Sequence, residues 1–292
     1  MSTFEKDFNP LAEEEALQRH IKKALRIPPL SGNALDIPYQ VIKRLFDPTT
    51  VGAENIPDGP CLFIGNHSLF ALDGWVLGPV MLKEQGRFLR GLGDRFLFAN
   101  DKVGNAVLKM GGTMGHPAVC TALMENGHDL LVFPGGAHEA VKRADDMYQL
   151  QWKERYGFVK LALKHGYTIM PFGMVGPDEF YSHLIEGDEI PESALGNVLK
   201  RFGMLDENTR PDMLPPIPIG ALGSLFPKPK RCYLGFGQPI HLKAQTKKPT
   251  KAQLTKIRNQ VASEIEEQLA QLLMMQEQGR NDEGLLRRIL SI

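Results

Sequence analysis

The chain has 292 residues, of which 42% are hydrophobic and 23% are charged, so its composition excludes a disordered chain and fits one large α/β domain or two small ones. Thirty-four basic side chains balance 34 acidic ones, and this balance gives no overall attraction to nucleic acid. No uninterrupted apolar run reaches the roughly 18 residues of a membrane-spanning helix.

Helical periodicity dominates the first fifty residues. Residues 9–26 place apolar side chains every three or four positions and end before a Pro-Pro pair, and a second helix is predicted over residues 38–46. Residues 51–60 are rich in turn-forming residues. We therefore predict an N-terminal helical element, residues 1–50, followed by the main domain with its C-terminal helix, residues 51–292.

Short apolar runs alternate with helical stretches from residue 61 onward. This alternation predicts an α/β fold with a mostly parallel central sheet flanked by helices. In such sheets, binding sites gather at the carboxyl ends of the strands. The predicted strands span residues 61–65, 88–92, 129–133, 168–172 and 231–236, and the predicted helices span residues 72–83, 103–109, 118–126, 139–145 and 156–165.

A long C-terminal helix is predicted to begin near Thr250. Thr250 and Gln253 have the spacing of a capping box, in which the hydroxyl accepts a hydrogen bond from the amide three residues later. The apolar residues that follow step by three and four along one face: Leu254, Ile257, Val261, Ile265, Leu269 and Leu272.

Two regions could meet a membrane surface. Residues 213–231 (MLPPIPIGALGSLFPKPKR) are rich in proline and glycine, carry apolar residues and end in three basic ones. The N-terminal helices, with Leu30 and Phe46, are the other. Apolar residues beside basic ones suit an interface with anionic lipid, although a loop that covers the core would have the same composition.

The three cysteines, Cys61, Cys120 and Cys232, form neither a CxxC pair nor a zinc spacing. An odd, scattered set predicts buried thiols in a reducing compartment. The acidic N-terminus lacks the apolar core of a signal peptide. We therefore expect a cytoplasmic protein.

The stretch FIGNHSLFALDGW, residues 63–75, places polar residues directly after a predicted strand. His67 can exchange a proton near neutral pH, and a carboxylate on its other ring nitrogen would fix the tautomer. Asp73 lies six positions later, about 600° around a regular helix, so the pair can form only if His67 lies on the turn and Asp73 in the first turn of the next helix. The alternative is a half-buried histidine and a carboxylate favoured by the helix dipole.

A second polar stretch is LLVFPGGAHEAVKR, residues 130–143. Gly135 and Gly136 allow the backbone to approach a ligand closely, and amides at the following helix favour negative charge. Such a loop could hold an oxyanion or an acceptor head group, with Glu139 orienting the loop or bonding to acceptor hydroxyls. The alternative is a tight strand-to-helix turn.

Together, GNHSLFALD and FPGGAHEA resemble the histidine–aspartate motif and the later FPEG or PGG motif of the glycerolipid (lysophospholipid) acyltransferase superfamily. The PGG-x-x-E form is similar to its monoacylglycerol and diacylglycerol acyltransferase-like branch. Residues 90–98 (RGLGDRFLF) lie where the family has its second motif, residues 156–162 resemble the GF-x-x-x-A helix of the branch, and residues 169–172 match its apolar-Pro motif. The resemblance covers about residues 50–240 in the same order.

The resemblance implies a role for each matching residue. His67 would be the general base that activates an acceptor hydroxyl, and Asp73 would orient it. Acceptor or oxyanion binding is implied for Asn66, Gly135, Gly136 and Glu139, and possible substrate positioning for Arg90, Asp94 and His138. For Arg90 and Asp94, a surface pair is the alternative.

The sequence departs from the family pattern in two places. Five residues, not four, separate His67 from Asp73, so the turn or a helical bulge must absorb one residue, or another acid orients His67. Gly135 stands where phosphate-handling members carry glutamate, and the arginine of their FPEGTR pattern is missing. These differences favour a neutral hydroxyl acceptor over a phosphorylated one.

We therefore expect transfer of a fatty acyl group from acyl-CoA, or from an acyl carrier protein, to a hydroxyl of a glycerolipid or other lipid alcohol, with no covalent intermediate, metal or cofactor. The expected partners are the acyl donor, the lipid acceptor and a membrane surface to which the protein is peripheral. Two alternatives remain: a hydrolase that uses His67 to activate water, and a non-catalytic lipid-binding protein on the same fold.

Overall fold

Helices and strands alternate along the chain in a computed structural model that describes residues 10–202, 205, 210–211, 214–280 and 284–290. Residues 1–9, which begin the predicted N-terminal element, and Met213, which begins the predicted Pro/Gly-rich segment, lie outside this range. The helices are α1 (Pro10–Arg26), α2 (Asn33–Phe46), α3 (Leu72–Glu84), α4 (Asp101–Lys109), α5 (Pro117–Glu125), α6 (Ala137–Ala140), α7 (Gly157–His165), α8 (Ala194–Arg201), α9 (Lys251–Gly279) and α10 (Leu285–Leu290). The strands are β1 (Thr49–Val51), β2 (Cys61–Gly65), β3 (Arg90–Gly93), β4 (Gly112–Met114), β5 (Leu130–Val132), β6 (Thr168–Val175), β7 (Ser182–Ile185), β8 (Ile217–Ile219) and β9 (Tyr233–Phe236).

The predicted mostly parallel sheet is confirmed. Within the described residues it has seven strands in the order β1-β9-β6-β2-β5-β3-β4. β2 lies at the centre, parallel to β5 and β6, and β3 continues the parallel part through β5 and β4. Among the described strands of this sheet, only β6 and β9 pair in the antiparallel direction. β2 is buried along its whole length, and its unbroken apolar sequence, CLFIG, is typical of a parallel strand covered on both faces.

Helices cover both faces of the sheet and create two apolar layers. One layer includes side chains of α1, α5, α7 and α9, and the other includes side chains of α2 and α3. The two N-terminal helices therefore pack into different layers. The predicted apolar face of α9 is buried, and the Thr250 hydroxyl caps its first turn by accepting a hydrogen bond from the Gln253 amide at 3.2 Å. None of the helices described is long and apolar enough to cross a membrane.

Several boundaries differ from the predictions. α2 begins at Asn33, not at residue 38, because the turn before the proline is anchored by the buried Leu35. The helix predicted over residues 139–145 is instead the four-residue α6 and a 3₁₀ turn at Ala144–Asp146. β1 and β4 were not predicted, because three residues are too few to show a periodicity. The division of the chain at residue 50 stays a prediction.

The cysteine side chains are buried as free thiols, as expected. Burial raises the pKa of Cys61 and of Cys120 to about 11, so both stay protonated near neutral pH.

Candidate active site

The turn after β2 brings His67 and Asp73 into contact: His67 Nδ1 lies 2.8 Å from Asp73 Oδ2. His67 lies on the turn, and Asp73 is in the first turn of α3. Phe70 and Ala71, between them, have φ angles of 55° and 58°. These left-handed conformations shorten the path and accommodate the fifth intervening residue. For a residue with a β-carbon, a left-handed conformation is unfavourable by about 1–2 kcal/mol, so neighbouring contacts must stabilise the turn.

The Asp73 carboxylate is buried and accepts several hydrogen bonds. Its Oδ2 accepts from the Ser68 amide at 2.6 Å as well as contacting His67, and its Oδ1 accepts from the Gly74 amide at 2.6 Å. The Asp73 amide in turn donates to the Ser68 hydroxyl at 2.9 Å. An ionised carboxylate accepts but does not donate, so the His67 proton belongs on Nδ1. Nε2 then carries a lone pair, and it has no hydrogen-bond partner among the described residues.

The imidazole of His67 stacks on the ring of Phe133, with centroids 4.2 Å apart and planes 6° from parallel. Phe133 directly precedes the Pro-Gly-Gly loop, so the loop and the histidine are neighbours. His67 is 8% exposed. The ring is therefore held on one face by an aromatic side chain and on one edge by Asp73. Sequence analysis did not single out Phe133, although an aromatic residue between a strand and a glycine-rich loop is a usable signal.

Arg155 fixes the backbone of the Pro-Gly-Gly loop. Its Nη1 donates to the carbonyl oxygens of Pro134 at 3.0 Å and Gly135 at 2.8 Å. Gly136 has a φ of 55°, and a β-carbon there would lie 2.8 Å from Arg155 Nη1. The Gly136 amide donates to the Phe133 carbonyl at 3.0 Å. This amide is therefore not available to an oxyanion, contrary to the expectation from the sequence. No local sequence signal pointed to Arg155, because it lies after an irregular segment.

Glu139 is fully buried against Gly135. Its Oε1 accepts from the Gln151 amide at 2.9 Å, while Oε2 has no partner among the described residues. A β-carbon on Gly135 would lie 2.1 Å from Oε2, so the carboxyl group of Glu139 fills the space that a side chain at that position would take. Desolvation raises the pKa of Glu139, against smaller lowering effects of the Gln151 amide and the nearby Lys142 and His67. Burial thus favours the neutral acid.

The side chain of Asn66 is used differently from the expectation that it binds acceptor or oxyanion. Its Nδ2 donates to the Met174 carbonyl at 2.9 Å, and its Oδ1 accepts from the Met174 amide at 2.8 Å. These two bonds continue the β2–β6 pairing beyond the end of β2. The amide group therefore anchors the His67 turn to β6, because a buried polar side chain at a strand end must find partners.

Arg90 does not lie at this site, and it is not part of a surface pair. It is fully buried at the amino end of β3, level with Leu62 at the start of β2, whereas His67 follows the carboxyl end of β2. Its guanidinium donates to the carbonyls of Ala24 and Ile27, where a cation complements the end of α1. Burial lowers its pKa to about 10, so it remains charged near neutral pH.

Asp94 directly precedes a 3₁₀ turn, and His138 is half-buried in the short helix α6. Asp94 is exposed and caps the 3₁₀ turn at Arg95–Phe98 by accepting from the Phe96 amide at 3.0 Å. His138 Nε2 lies 2.6 Å from Lys153 Nζ. The structure thus brings together His67, Asp73, Gly135, Gly136 and Glu139, and it gives Asn66, Arg90, Asp94 and His138 contacts of other kinds.

Comparisons with known proteins show which families this chain matches. The family described as "Diacylglycerol acyltransferase" matches residues 118–274, and the one described as "Acyltransferase" matches residues 47–175. Both ranges contain the Pro-Gly-Gly loop and Glu139, and the second also contains His67 and Asp73.

Curated relatives include two plant proteins and an animal one. Phytyl ester synthases 1 and 2, chloroplastic, of Arabidopsis thaliana are 28% and 30% identical over 246 and 251 residues, which in each case is 78% of this chain and 34% of the relative. A "DGAT1/2-independent enzyme synthesizing storage lipids" of Gallus gallus is 27% identical over 212 residues, 70% of this chain and 58% of the relative. The chain therefore spans about a third of the length of the plant relatives.

Proposed function

The chain belongs to the diacylglycerol acyltransferase family, and on that premise we propose that it transfers a fatty acyl group from acyl-CoA, or from an acyl carrier protein, to a hydroxyl of a glycerolipid or another lipid alcohol. The observation that carries the proposal is the 2.8 Å contact between His67 Nδ1 and Asp73 Oδ2 beside the Pro-Gly-Gly loop. Relatives named for making phytyl esters and storage lipids support a lipid product.

The reaction needs one proton acceptor that becomes a proton donor. In the proposed mechanism, His67 Nε2 takes the proton of the acceptor hydroxyl as its oxygen attacks the thioester carbonyl carbon. Asp73 stabilises the imidazolium through Nδ1–H. When the carbon–sulfur bond breaks, the sulfur leaves with the electron pair and receives the proton from Nε2. The imidazole returns to its starting state, and no acyl-enzyme forms.

Glu139 supplies a buried hydrogen-bond donor in this proposal. In the protonated form, which burial favours, its carboxyl group carries a proton, and Oε2 is the oxygen without a partner among the described residues. It can donate to the oxyanion of the tetrahedral intermediate or to the acceptor hydroxyl, in the way that buried neutral carboxyls act elsewhere. Because Glu139 fills the space above Gly135 and Arg155 is bound to the loop carbonyls, we favour a neutral acceptor over a phosphorylated one.

An apolar surface beside the site supports contact with a lipid surface. Along α2, Ile37, Val41 and Leu45 are exposed at four-residue intervals, which places them on one stripe. In the loop after β8, Leu225 and Phe226 are each 77% exposed. Large apolar side chains so exposed are characteristic of surfaces that bind lipid or protein. We propose that these two patches hold the protein peripherally at a membrane on its cytoplasmic side.

The two patches adjoin each other and the His67 turn. The ring of Phe46, at the end of α2, stacks on Phe180 with centroids 4.1 Å apart. The next residue, Tyr181, donates its hydroxyl hydrogen to the Leu225 carbonyl at 3.0 Å and packs edge-on against Phe70 in the His67–Asp73 turn. The acyl chain of a donor that enters the protein from the membrane at this surface would therefore have a short path to the site.

The expectation that Phe46 and the basic residues at the end of the Pro/Gly-rich segment meet the membrane is wrong in part. Phe46 is buried in its stack with Phe180 and cannot face lipid. Lys228 is also buried, and its Nζ donates to the Ser182 hydroxyl at 2.9 Å, while Arg231 pairs with Asp47 at 3.3 Å. Most of the basic charge that closes the segment is therefore engaged within the protein. The proposed attraction rests on the apolar side chains.

The test is product formation from labelled acyl-CoA, supplied with and without a lipid alcohol in vesicles, by the parent protein and His67→Ala. The parent is expected to form ester only with acceptor, and the variant to be slower by about 10²–10⁴-fold, the usual contribution of a general base. His165→Ala is the matched control, because His165 ends α7 just before the amino end of β6, whereas His67 follows the carboxyl end of the parallel strand β2, and its ring hydrogen-bonds with the Thr121 hydroxyl.

The other outcomes point to the alternatives. Free fatty acid as the only product of the parent would indicate a hydrolase. Lipid binding that is the same in the parent and His67→Ala, with no turnover in either, would indicate a non-catalytic lipid-binding protein.

A further inference from the structure

A buried ion pair binds the backbone of the turn that carries His67. Lys142 Nζ lies 2.7 Å from Asp178 Oδ2, and the two side chains are 2% and 1% exposed. Lys142 follows α6, and Asp178 lies in the turn after β6. In the sequence, Lys142 is part of an ordinary basic pair and Asp178 of an acidic one, so neither was singled out.

Both members of the pair also bind the backbone near His67, and Asp178 Oδ2 accepts in addition from the Tyr148 amide at 3.2 Å. Lys142 Nζ donates to the His67 carbonyl at 2.7 Å, and Asp178 Oδ1 accepts from the Leu69 amide at 3.2 Å. Ser68 lies between these two residues, and its amide donates to Asp73 Oδ2 at 2.6 Å. Charged side chains therefore hold a backbone group of each of three successive residues, His67, Ser68 and Leu69.

Stability alone does not explain such a pair. Removing two charges from water is costly, and replacing a buried ion pair with apolar residues is often neutral or stabilising. Hydrogen bonds to charged groups are, however, the strongest available for fixing a backbone. The turn needs that fixation, because Phe70 and Ala71 directly after it have unfavourable φ angles.

We propose that Lys142 and Asp178 are positioning residues for His67: together they fix the His67–Leu69 backbone so that the imidazole keeps Nδ1 on Asp73 and Nε2 available to the acceptor hydroxyl. Neither is a catalytic residue, since both act through the backbone. The inference rests on the proposed function for its kinetic part. A misplacement of about 1 Å in such a group can lower a rate by about 10²-fold.

Three variants separate positioning from stability. Lys142→Met keeps the length of the side chain but removes the donor to the His67 carbonyl and leaves the Asp178 carboxylate unpaired. Asp178→Asn keeps an acceptor for the Leu69 amide, but it leaves the Lys142 ammonium unpaired and removes the acceptor of the Tyr148 amide. Each single variant is expected to lower both the stability and kcat, because each leaves one buried charge without its partner.

The double variant Lys142→Met/Asp178→Asn removes both charges. Its unfolding midpoint in urea is expected to recover toward that of the parent, while kcat stays about 10–100-fold lower with KM within about threefold, because the His67 carbonyl still lacks its donor. A double variant that regains the parent kcat together with the stability would overturn the proposal. The comparison remains decisive if a single variant does not fold.

A second ion pair in the same protein provides the matched control. Arg87 Nη2 lies 2.6 Å from Asp129 Oδ1, and both side chains are largely buried. Asp129 Oδ1 also accepts from the Cys61 amide at 2.8 Å, at the end of β2 away from His67. Arg87→Met/Asp129→Asn is therefore expected to change stability and to leave kcat within about threefold of the parent. An equal loss of kcat in this control would mean that the effect is not specific to the His67 turn.

Nuclear magnetic resonance of ¹⁵N-histidine-labelled protein gives a readout independent of turnover. The Nδ1–H of His67, bonded to Asp73, is expected to give a downfield proton signal that Asp73→Asn moves upfield or removes. The signal should persist in the control pair variant and be lost or broadened in Lys142→Met/Asp178→Asn. An unchanged signal in Lys142→Met/Asp178→Asn would refute the positioning role. Its loss in a protein whose parent shows no acyl transfer would sustain positioning and reject the proposed function.

Discussion

Asp73→Asn is the sharpest single test of the site, because the substitution changes almost no volume. The Asp73 carboxylate accepts hydrogen bonds from His67 Nδ1 and from the amides of Ser68 and Gly74. An amide group cannot accept at both positions. If its oxygen faces Ser68 and His67, its NH₂ group opposes the Gly74 amide. If the amide is reversed, its NH₂ group opposes the Ser68 amide and forces His67 Nδ1 to accept, which places the imidazole proton on Nε2.

Both orientations have a calculable effect. A buried donor left facing another donor costs about 1–3 kcal/mol, so the free energy of unfolding should fall by about that amount. The reversed orientation also places a proton on the nitrogen that must act as the base. Loss of general-base catalysis lowers kcat by about 10²–10⁴-fold, or about 2.7–5.5 kcal/mol in activation free energy. KM should change little, because Asp73 is buried and contacts no substrate in the proposed mechanism.

The assay is initial-rate transfer from labelled acyl-CoA to a lipid alcohol, with folding monitored by circular dichroism and urea unfolding. Asp129→Asn is the control, since it likewise removes a largely buried carboxylate, but at the other end of β2. A folded Asp73→Asn protein with kcat within about threefold of the parent would refute the reasoning, and would mean that another acid orients His67.

Three further predictions concern the surroundings of the site. Because the pKa of Glu139 is raised in the folded protein, its contribution to stability is fully present below the pKa of the unfolded chain and is lost as pH rises through the folded value. In urea unfolding, the stability of Glu139→Gln relative to the parent should therefore increase from about pH 4 to about pH 8. An equal difference between the two proteins at both pH values would contradict this. Gly135→Ala should lower the free energy of unfolding by about 1–3 kcal/mol through its clash with Glu139, whereas Gly78→Ala, with nothing within 4 Å of the added carbon, should not lower it; equal effects would reject the clash. Leu225→Ser/Phe226→Ser should keep the parent stability within about 0.5 kcal/mol and reduce co-sedimentation with lipid vesicles, and undiminished co-sedimentation would reject the membrane patch.

Elements with a long or unbroken pattern could be predicted from the sequence. β2 has the predicted bounds, and α9 begins after the predicted cap at Thr250 with its predicted apolar face buried. These elements are visible because backbone geometry imposes a period on the residues of one face, and the pattern repeats often enough to be recognised. Strands of three residues, such as β1 and β4, are defined by pairing with a partner far away in sequence.

The central part of the site was also open to sequence reasoning. The order of motifs identified His67, Asp73 and the Pro-Gly-Gly loop, and the placement of a turn between the first two followed from helix geometry. How the turn accommodates the extra residue is visible only in the φ angles of Phe70 and Ala71.

The sequence by itself determined the elements with a long or unbroken pattern and the polar residues that follow β2 and β5, since both depend on local periodicity and turn chemistry. Tertiary structure decided what each polar side chain does. Asn66 binds β6, Arg90 binds the end of α1, and Lys142 meets Asp178 under the His67 turn. The physical reason is burial: once a polar group leaves water it must find a partner, and the fold, not the neighbouring sequence, determines which partner lies within reach.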